Sequence, residues 1–391
     1  MNTRPLAIVY RKELRDLLRD WRTIMSMVIV PVIVVPVIML GVVKTATVTM
    51  KEMPKVMLLG AAGSPETAAA LRRLNKFDFV PPSPDYTNLI SNKKIRAAVE
   101  IPKDFDAALE GERKSTVRIY TYEGEPKSMM AVQQLEEFFR HRREEMVRRR
   151  LLDRLLPETL VTPYDIQRTN VASPRQVGGL VIGMILPYLM IVMCLTGAIY
   201  PAVDLTAGEK ERGTLETLLC SPVARTQLVL GKVLVVLTVS LATAALSVSA
   251  NGAALLYLKS SFPARLPVSL DPLALAGVCA MMIPLAVFLS ALAVAAGLFA
   301  RSSKEANTYL QPMLLLAIVP AVIAMLPGVE FNYRLAFVPV LNISLLCKEL
   351  LAGACHWGHV LVVFGSMTMY AALAVAAAVA LFKRESVLFR T

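Results

Sequence analysis

Apolar residues in this chain form long uninterrupted runs, separated by short charged segments and by one extended polar block. Windows with little or no charge, long enough to cross a hydrocarbon core of about 30 Å, fall at 24–43, 177–203, 228–257, 273–299, 307–326 and 357–382. The first, IMSMVIVPVIVVPVIMLGVV, carries no charge and is expected to insert despite its two prolines. The pattern predicts an α-helical integral membrane protein with six transmembrane helices.

Two segments break that apolar periodicity in different ways. Ahead of the first span, YRKELRDLLRDWR places Tyr10, Leu14, Leu17, Leu18 and Trp21 at helical spacing, with Arg11, Lys12, Arg15, Arg19 and Arg22 on the rest of the wheel. Residues 1–23 are therefore expected as an amphipathic helix in the inner interface, its basic face toward anionic headgroups; the plainer reading is a solvated amphipathic helix. The charged region is too long for the start of a signal peptide, and no convincing small-x-small site follows, so the first span is read as an uncleaved anchor.

Between the first two spans, residues 44–176 turn polar and are numerous enough to bury a core of their own. KVMLLG, IRAAVEIP and STVRIYTYEG read as strands. SPETAAALRRL, with Ser64 as N-cap and Pro65 in the first turn, and DFDAALEGE read as helices, and Pro126 opens a long helix to about Leu156. YDIQRTNVA is expected as a last strand. The alternation predicts a large extracytoplasmic α/β domain inserted between the first and second spans.

Composition agrees: of 391 residues 55% are hydrophobic and 18% charged, too apolar for a soluble enzyme. Sidedness follows from Lys and Arg in the short loops. With the N-terminus inside, the segments 1–23, 204–227, 300–306 and 383–391, with Lys232, hold about fifteen basic residues, against about four in 258–272 and 327–356. The expected location is a cell (inner, cytoplasmic) membrane, crossed several times, with both termini cytoplasmic.

Several chemistries are missing. Glu144, Glu145 and Arg149 fit the EExxxR pattern of an intramembrane peptidase, but that chemistry needs carboxylates buried in a span, and these lie in the basic run RHRREEMVRRRLLDR, expected as a solvated helix face. CHWGH offers Cys355, His356 and His359 without the further ligands a metal site needs. The cysteines, Cys194, Cys220, Cys279, Cys347 and Cys355, all lie outside the polar block, so no disulfide framework supports it. LVLGKV lacks the earlier Gly and following Ser or Thr of a phosphate-binding loop, so this chain does not hydrolyse nucleotide by that route. No catalytic residue, metal or cofactor is expected on it.

The span interiors hold almost no ionisable residues, which argues against an ion-coupled carrier. They do hold a polar stripe at helical spacing, Ser240, Thr243, Ser247 and Asn251, readable as interhelical packing or as a translocation path.

The cytoplasmic stretch TAGEKERGTLETLLCSPVARTQLVLGK, 206–232, concentrates charge between two spans. Leu215, Leu218 and Leu219 at i, i+3 and i+4, with Glu209, Glu211, Arg212 and Glu216 as polar positions, give a short amphipathic helix that Pro222 stops. This stretch resembles the membrane subunit, or permease, of ABC transporters of the type 2 exporter class. The shared pattern comprises Glu209, Glu211, Arg212, Gly213, Thr214, Leu215, Glu216, Leu218, Ser221, Pro222, Arg225, Gly231 and Lys232. KELRDLLRDWRT with the proline-containing first span is most similar to the sodium-export, NatB-like branch.

The resemblance implies that the loop at 209–222 is a coupling helix docking into a separate cytoplasmic ATPase subunit, which binds ATP and Mg. It also implies a second permease copy, in a homodimer or heterodimer, and short re-entrant helices on the outer side within 327–356. Glu209, Glu211, Arg212 and Glu216 would then supply charge pairs to the ATPase, and Gly213 and Pro222 would set the helix geometry. Trp21, Arg22, Arg225 and Lys232 are expected at inner headgroups, a role in topology alone being the equal alternative for Arg225 and Lys232. Partners are thus the ATPase, the second permease and the bilayer, with no nucleic acid. Sodium efflux is implied by the branch. Export of a hydrophobic drug, peptide or lipid is the alternative, and a transmembrane sensor or scaffold with an outer ligand-binding domain is the second.

Overall fold

A computed structural model describes residues 4–123, 125–161, 164, 174–261, 271–326, 328–353 and 356–384. The chain divides into two compact units, one of residues 1–41 and 170–391, the other of residues 42–169.

The first helix, α1 (Arg4–Leu17), buries Val9, Glu13 and Leu17, four residues apart on one face. A short α2 (Trp21–Ile24) runs into a wide-turn segment, Met25–Val34, and then α3 (Val35–Lys51). The wide turns answer a sequence problem. Pro31 has no N–H and clashes with the preceding turn of an ordinary helix, and a π-type ladder relieves this, the Val35 N–H donating to the Val30 carbonyl five residues back.

The second unit is an α/β fold built on a four-stranded sheet of order β2-β1-β3-β4. Strand β1 (Lys55–Leu59) leads through α4 (Pro65–Arg73) to β2 (Asp78–Val80), and then α5 (Tyr86–Ser91) leads to β3 (Ala97–Glu100). After α6 (Phe105–Glu110) and β4 (Arg118–Thr121), the 28-residue α7 (Pro126–Asp153) closes the unit. β1 pairs in parallel with β2 and β3, and β3 pairs antiparallel with β4, Ala97 opposite Thr121.

The strand period of two splits the core. Val56, Leu58, Ala97 and Val99 join Leu71, Phe105 and Leu135 on one face, while Met57 and Ala98 meet Ile90 and Ile95 on the other. Ser64 does not cap α4 as expected. Its hydroxyl donates to the Pro102 carbonyl at 2.8 Å, and the Asp106 carboxylate accepts from the Glu66 N–H at 2.9 Å, capping the helix from α6 instead. β2 and α5, absent from the sequence reading, are too short to show periodicity. The last expected strand, 164–172, lies outside the described residues apart from Tyr164.

In the first unit, α8 (Pro174–Val203) runs through a wide turn, Asp204–Gly208, into α9 (Glu209–Glu211) and α10 (Thr214–Leu219). There follow α11 (Arg225–Ser261), α12 (Pro272–Phe299), α13 (Ser303–Met325), α14 (Leu341–Ala352) and α15 (Trp357–Lys383). Asp271 caps α12, accepting from the Leu273 N–H at 3.0 Å ahead of a run that opens on Pro272. α14 is buried along most of its length, packed on α8 and α12.

Among the described residues, five helices are long and apolar enough to cross a membrane: Ile182–Glu211, Arg225–Tyr257, Pro272–Phe299, Ser303–Met325 and Trp357–Lys383. The expected first span, 24–43, corresponds to Met27–Gly41, an apolar helix shorter than these.

Candidate functional site

The shared motif begins where the wide turn after Val203 hands over to α9, and four consecutive charged residues there each reach a different part of the fold. Glu209 is 6% exposed and Lys232 of α11 only 1%. Their side chains pair at 2.6 Å, and the Lys232 ammonium also donates to the Leu205 carbonyl at 2.7 Å. A buried ammonium needs such partners, because its desolvation costs several kcal/mol or more.

Lys210 turns the other way and donates to the Leu298 and Ala300 carbonyls, at the C-terminal end of α12, where unpaired carbonyls and the negative end of the helix dipole favour a cation. Glu211 does the converse at α13, accepting from the Ser303 N–H at 3.1 Å and the Ser303 hydroxyl at 2.7 Å. Ser302 caps the same end, accepting from the Glu305 N–H at 3.3 Å. Arg212 closes the series on Asp204, 2.8 Å away in its own wide turn.

Gly213 then reverses the chain at φ +68°, a conformation that glycine adopts without strain, and its neighbourhood leaves open space. The Thr214 hydroxyl donates to the Glu209 carbonyl at 3.3 Å, α10 buries Leu215, and Leu218 and Leu219 are half-buried against the core. Thr214, Glu216, Thr217 and Cys220 remain exposed. The exposed Pro222 lies between the end of α10 at Leu219 and the start of α11 at Arg225, as its helix-stopping role requires.

Gly231 explains its own place in the motif. A Cβ there would lie 2.7 Å from a Val9 methyl and 3.8 Å from the Tyr10 nitrogen, so glycine lets α1 lie close on α11. Tyr10 adds a hydroxyl contact to Thr238 at 3.0 Å. That approach brings Glu13, 3% exposed, beside the same charged cluster, where Lys12 pairs with it at 3.0 Å. Glu13 was missed in the sequence, although its place between Val9 and Leu17 on one helical stripe was the available signal.

Several expected placements change. Lys232, expected at headgroups, is buried against Glu209, and Glu209 and Glu211, expected to face a partner, are held within the chain. The physical reason is the same in each case: helix ends and a buried cation offer better partners than solvent. Trp21 is exposed at 64%, Arg225 is half-buried at the start of α11, and the side chain of Arg22 lies outside the described residues.

The stripe Ser240, Thr243, Ser247 and Asn251 is wholly buried. Ser240 donates to the Cys194 carbonyl at 2.7 Å, Thr243 to the Val239 carbonyl at 2.8 Å, and the Asn251 amide to the Ser247 carbonyl at 2.8 Å. A Cβ at Gly197 would lie 2.7 Å from the Thr243 hydroxyl, so the stripe is the seam between α8 and α11. Glu144, Glu145 and Arg149 are exposed on α7. His359 pairs with Glu349 at 2.9 Å, Cys355 lies outside the described residues, and no group of metal-ligating side chains occurs among those described.

The chain thus combines apolar helices of spanning length with a charged segment tied to three of them, α11, α12 and α13. Residues 21–380 match the ABC-2 family transporter protein family, and the chain belongs to that family: it is a multi-pass ABC transporter permease, the membrane component and not the ATPase. It is 25% identical over 374 residues to the ABC transporter permease protein NatB of Bacillus subtilis (strain 168), covering 94% of this chain and 95% of that protein. Membership implies a partner ATPase subunit and a membrane. α1 precedes the matched residues.

Proposed function

We propose that the chain is the membrane subunit of an ATP-driven exporter, coupled to a cytoplasmic ATPase through α10. The observation that carries this reading is the division of labour in 209–220: Glu209, Lys210 and Glu211 are tied to α11, α12 and α13, while the next residues present an exposed helix face. A push on α10 is thereby delivered to three helices at their ends, and a rigid shift of packed helices is a recurrent form of switching.

In this reading 204–227 is cytoplasmic, Met27–Gly41 lies within a sixth crossing, the α/β unit is extracytoplasmic, α14 is re-entrant from the outer side, and two permeases pair. ATP and Mg belong to the ATPase. No covalent chemistry takes place on this chain.

Sodium efflux is the substrate reading that the branch resemblance supports. Export of a hydrophobic drug, peptide or lipid is supported by the α8–α11 seam, where Ser240, Thr243 and the Asn251 NH2 are bonded within the chain and Asn251 Oδ1 is left without a partner among the described residues, fewer oxygen ligands than an ion needs. ATP-dependent uptake of radiosodium into inverted vesicles, absent without the ATPase, would establish the first; no sodium movement beside drug- or lipid-stimulated ATPase activity would establish the second.

The coupling itself is tested by reversing Glu211 and Arg212 together in vesicles containing both subunits. ATP hydrolysis should continue and transport should stop, with membrane insertion intact. Unchanged coupled transport would sink the proposal.

A further inference from the structure

A pocket of about 850 Å³ opens in the α/β unit at the amino ends of β1, β2 and β3, where Lys55, Asp78 and Arg96 stand. The first turns of α7 form another wall, with Lys127, Met130 and Gln134. Lys93 and Lys94, from the turn between α5 and β3, bring the cations on its lining to five.

Three carboxylates answer them. Glu52 pairs with Lys127 at 3.1 Å. Glu125 pairs with Arg96 and also feels the Lys93 charge, and Asp78 lies opposite Lys55 in the β1–β2 register. Five cations against three carboxylates leave an excess of two positive charges, where Lys93 and Lys94 stand next to each other, both exposed.

The backbone at this point carries its own signal. Lys93 holds φ +57°, and its N–H and that of Lys94 close the end of α5 on the Ile90 and Leu89 carbonyls, each at 2.9 Å. Glycine makes such a turn without strain, so the turn by itself does not call for lysine. The rest of the lining is apolar or unsatisfied. Phe77 and the exposed Met53 and Met130 give it an apolar side, and Gln134 Oε1 is buried with no hydrogen-bond partner among the described residues.

We propose that this pocket binds a phosphate monoester with an organic body. Such a group carries a charge of about −1.5 to −2 at pH 7, which matches the excess, whereas a single carboxylate leaves one cation unanswered. Lysine ammoniums serve a tetrahedral phosphate as point charges. The apolar side takes the organic body, adaptable methionines included, and a ligand hydroxyl donating to Gln134 Oε1 completes that amide. The volume lies within the range of small-molecule pockets, about 300–1,000 Å³. This site is independent of the reading of α10 as the ATPase contact. A soluble organophosphate and a lipid with a phosphomonoester headgroup share the chemistry.

The test is calorimetric titration of the full chain in detergent with phenyl phosphate, inorganic phosphate and phenol. Phenyl phosphate should bind saturably and more tightly than inorganic phosphate, and phenol should not bind. Lys93→Gln with Lys94→Gln should weaken phenyl phosphate about tenfold or more, through the loss of two charge-assisted contacts. Arg143→Gln with Arg149→Gln, which removes the same charge further along exposed α7, should leave binding within about twofold. Thermal unfolding of both variants reports the fold, and Lys55→Gln, at the opposite wall, gives a second measure should the lysine pair be needed for folding.

Nanodiscs separate the two sources. Phenyl phosphate binding that is lost in phosphatidic acid nanodiscs and kept in phosphatidylcholine ones identifies the lipid headgroup, and equal binding in both identifies a soluble organophosphate. No saturable binding of phenyl phosphate, binding of inorganic phosphate just as tight, or equal weakening by the lysine and the arginine variants would overturn the proposal.

Discussion

Two stretches of this chain are equally rich in charge and use it in opposite ways. In α7, the run from Arg140 to Arg150 lies mostly at the surface, with exposed pairs such as His141–Glu145 at 3.3 Å. Between Glu209 and Arg212, each charge reaches a separate partner: a buried lysine, the carbonyl end of one helix, the N–H end of another, and a nearby aspartate. Charge density alone does not distinguish a solvated face from a clasp. What distinguishes them is whether helix ends and buried counter-ions converge on the segment, and that is a property of packing.

The sharpest way to break the comparison is Glu209→Gln. It leaves the Lys232 ammonium buried without a carboxylate, and a loss of about 3–5 kcal/mol is expected on thermal unfolding of the detergent-solubilised chain. Replacing both residues with methionine should recover most of that loss. Equal destabilisation by the single and double variants would show that the pair is not the relevant interaction.

Glu211→Ala comes next. Removing the acceptor of two hydrogen bonds at the start of α13 should cost about 1–2 kcal/mol. Hydrogen exchange should quicken at residues 303–306 and stay unchanged along α11.

A smaller, pH-dependent effect belongs to the α/β unit. Burial pushes the Glu125 carboxyl upward, but hydrogen bonds from Ser128 and Arg96 and the Arg96 charge outweigh it, so its pKa lies below the ordinary carboxylate value. A folded-state pKa lowered in this way contributes stability that is present above the unfolded value and lost as pH falls through the lowered one. Amide protection in β3 and the start of α7, taken relative to the intrinsic exchange rate at each pH and followed in the whole chain, should therefore fall on acidification. Glu125→Gln should remove that dependence.

Least affected should be Arg149→Ala on exposed α7, within about 0.5 kcal/mol of the unaltered chain. A larger loss would mean that the basic face of α7 carries contacts of its own.

Much of the architecture was legible. Long apolar runs located the spanning helices, since lipid-crossing length and low charge are properties of local sequence. Short apolar runs at Lys55–Leu59 and Ala97–Glu100 located the central strands, and Pro126 marked a helix start. The cap of α4 was misplaced, because a carboxylate forty residues away in sequence outcompeted the adjacent serine. In the motif, the sequence showed a short amphipathic helix stopped by Pro222; its division at Gly213 into α9 and α10 appears only in the structure.

Which charges face outward was not written in that pattern. Lys232 and Glu209 are separated by a turn, a short helix and the start of another, and their pairing depends on α11 folding back beside the wide turn after α8. Gly231 belongs to the shared pattern, but its reason is visible only where α1 presses on it. The sequence by itself determined the membrane class, the central strands and longer helices, and the position of the charged segment, because these follow from composition and period. Tertiary structure alone decided which of its charges are spent inside and which face outward, because desolvation and helix-end polarity arise only when distant segments meet.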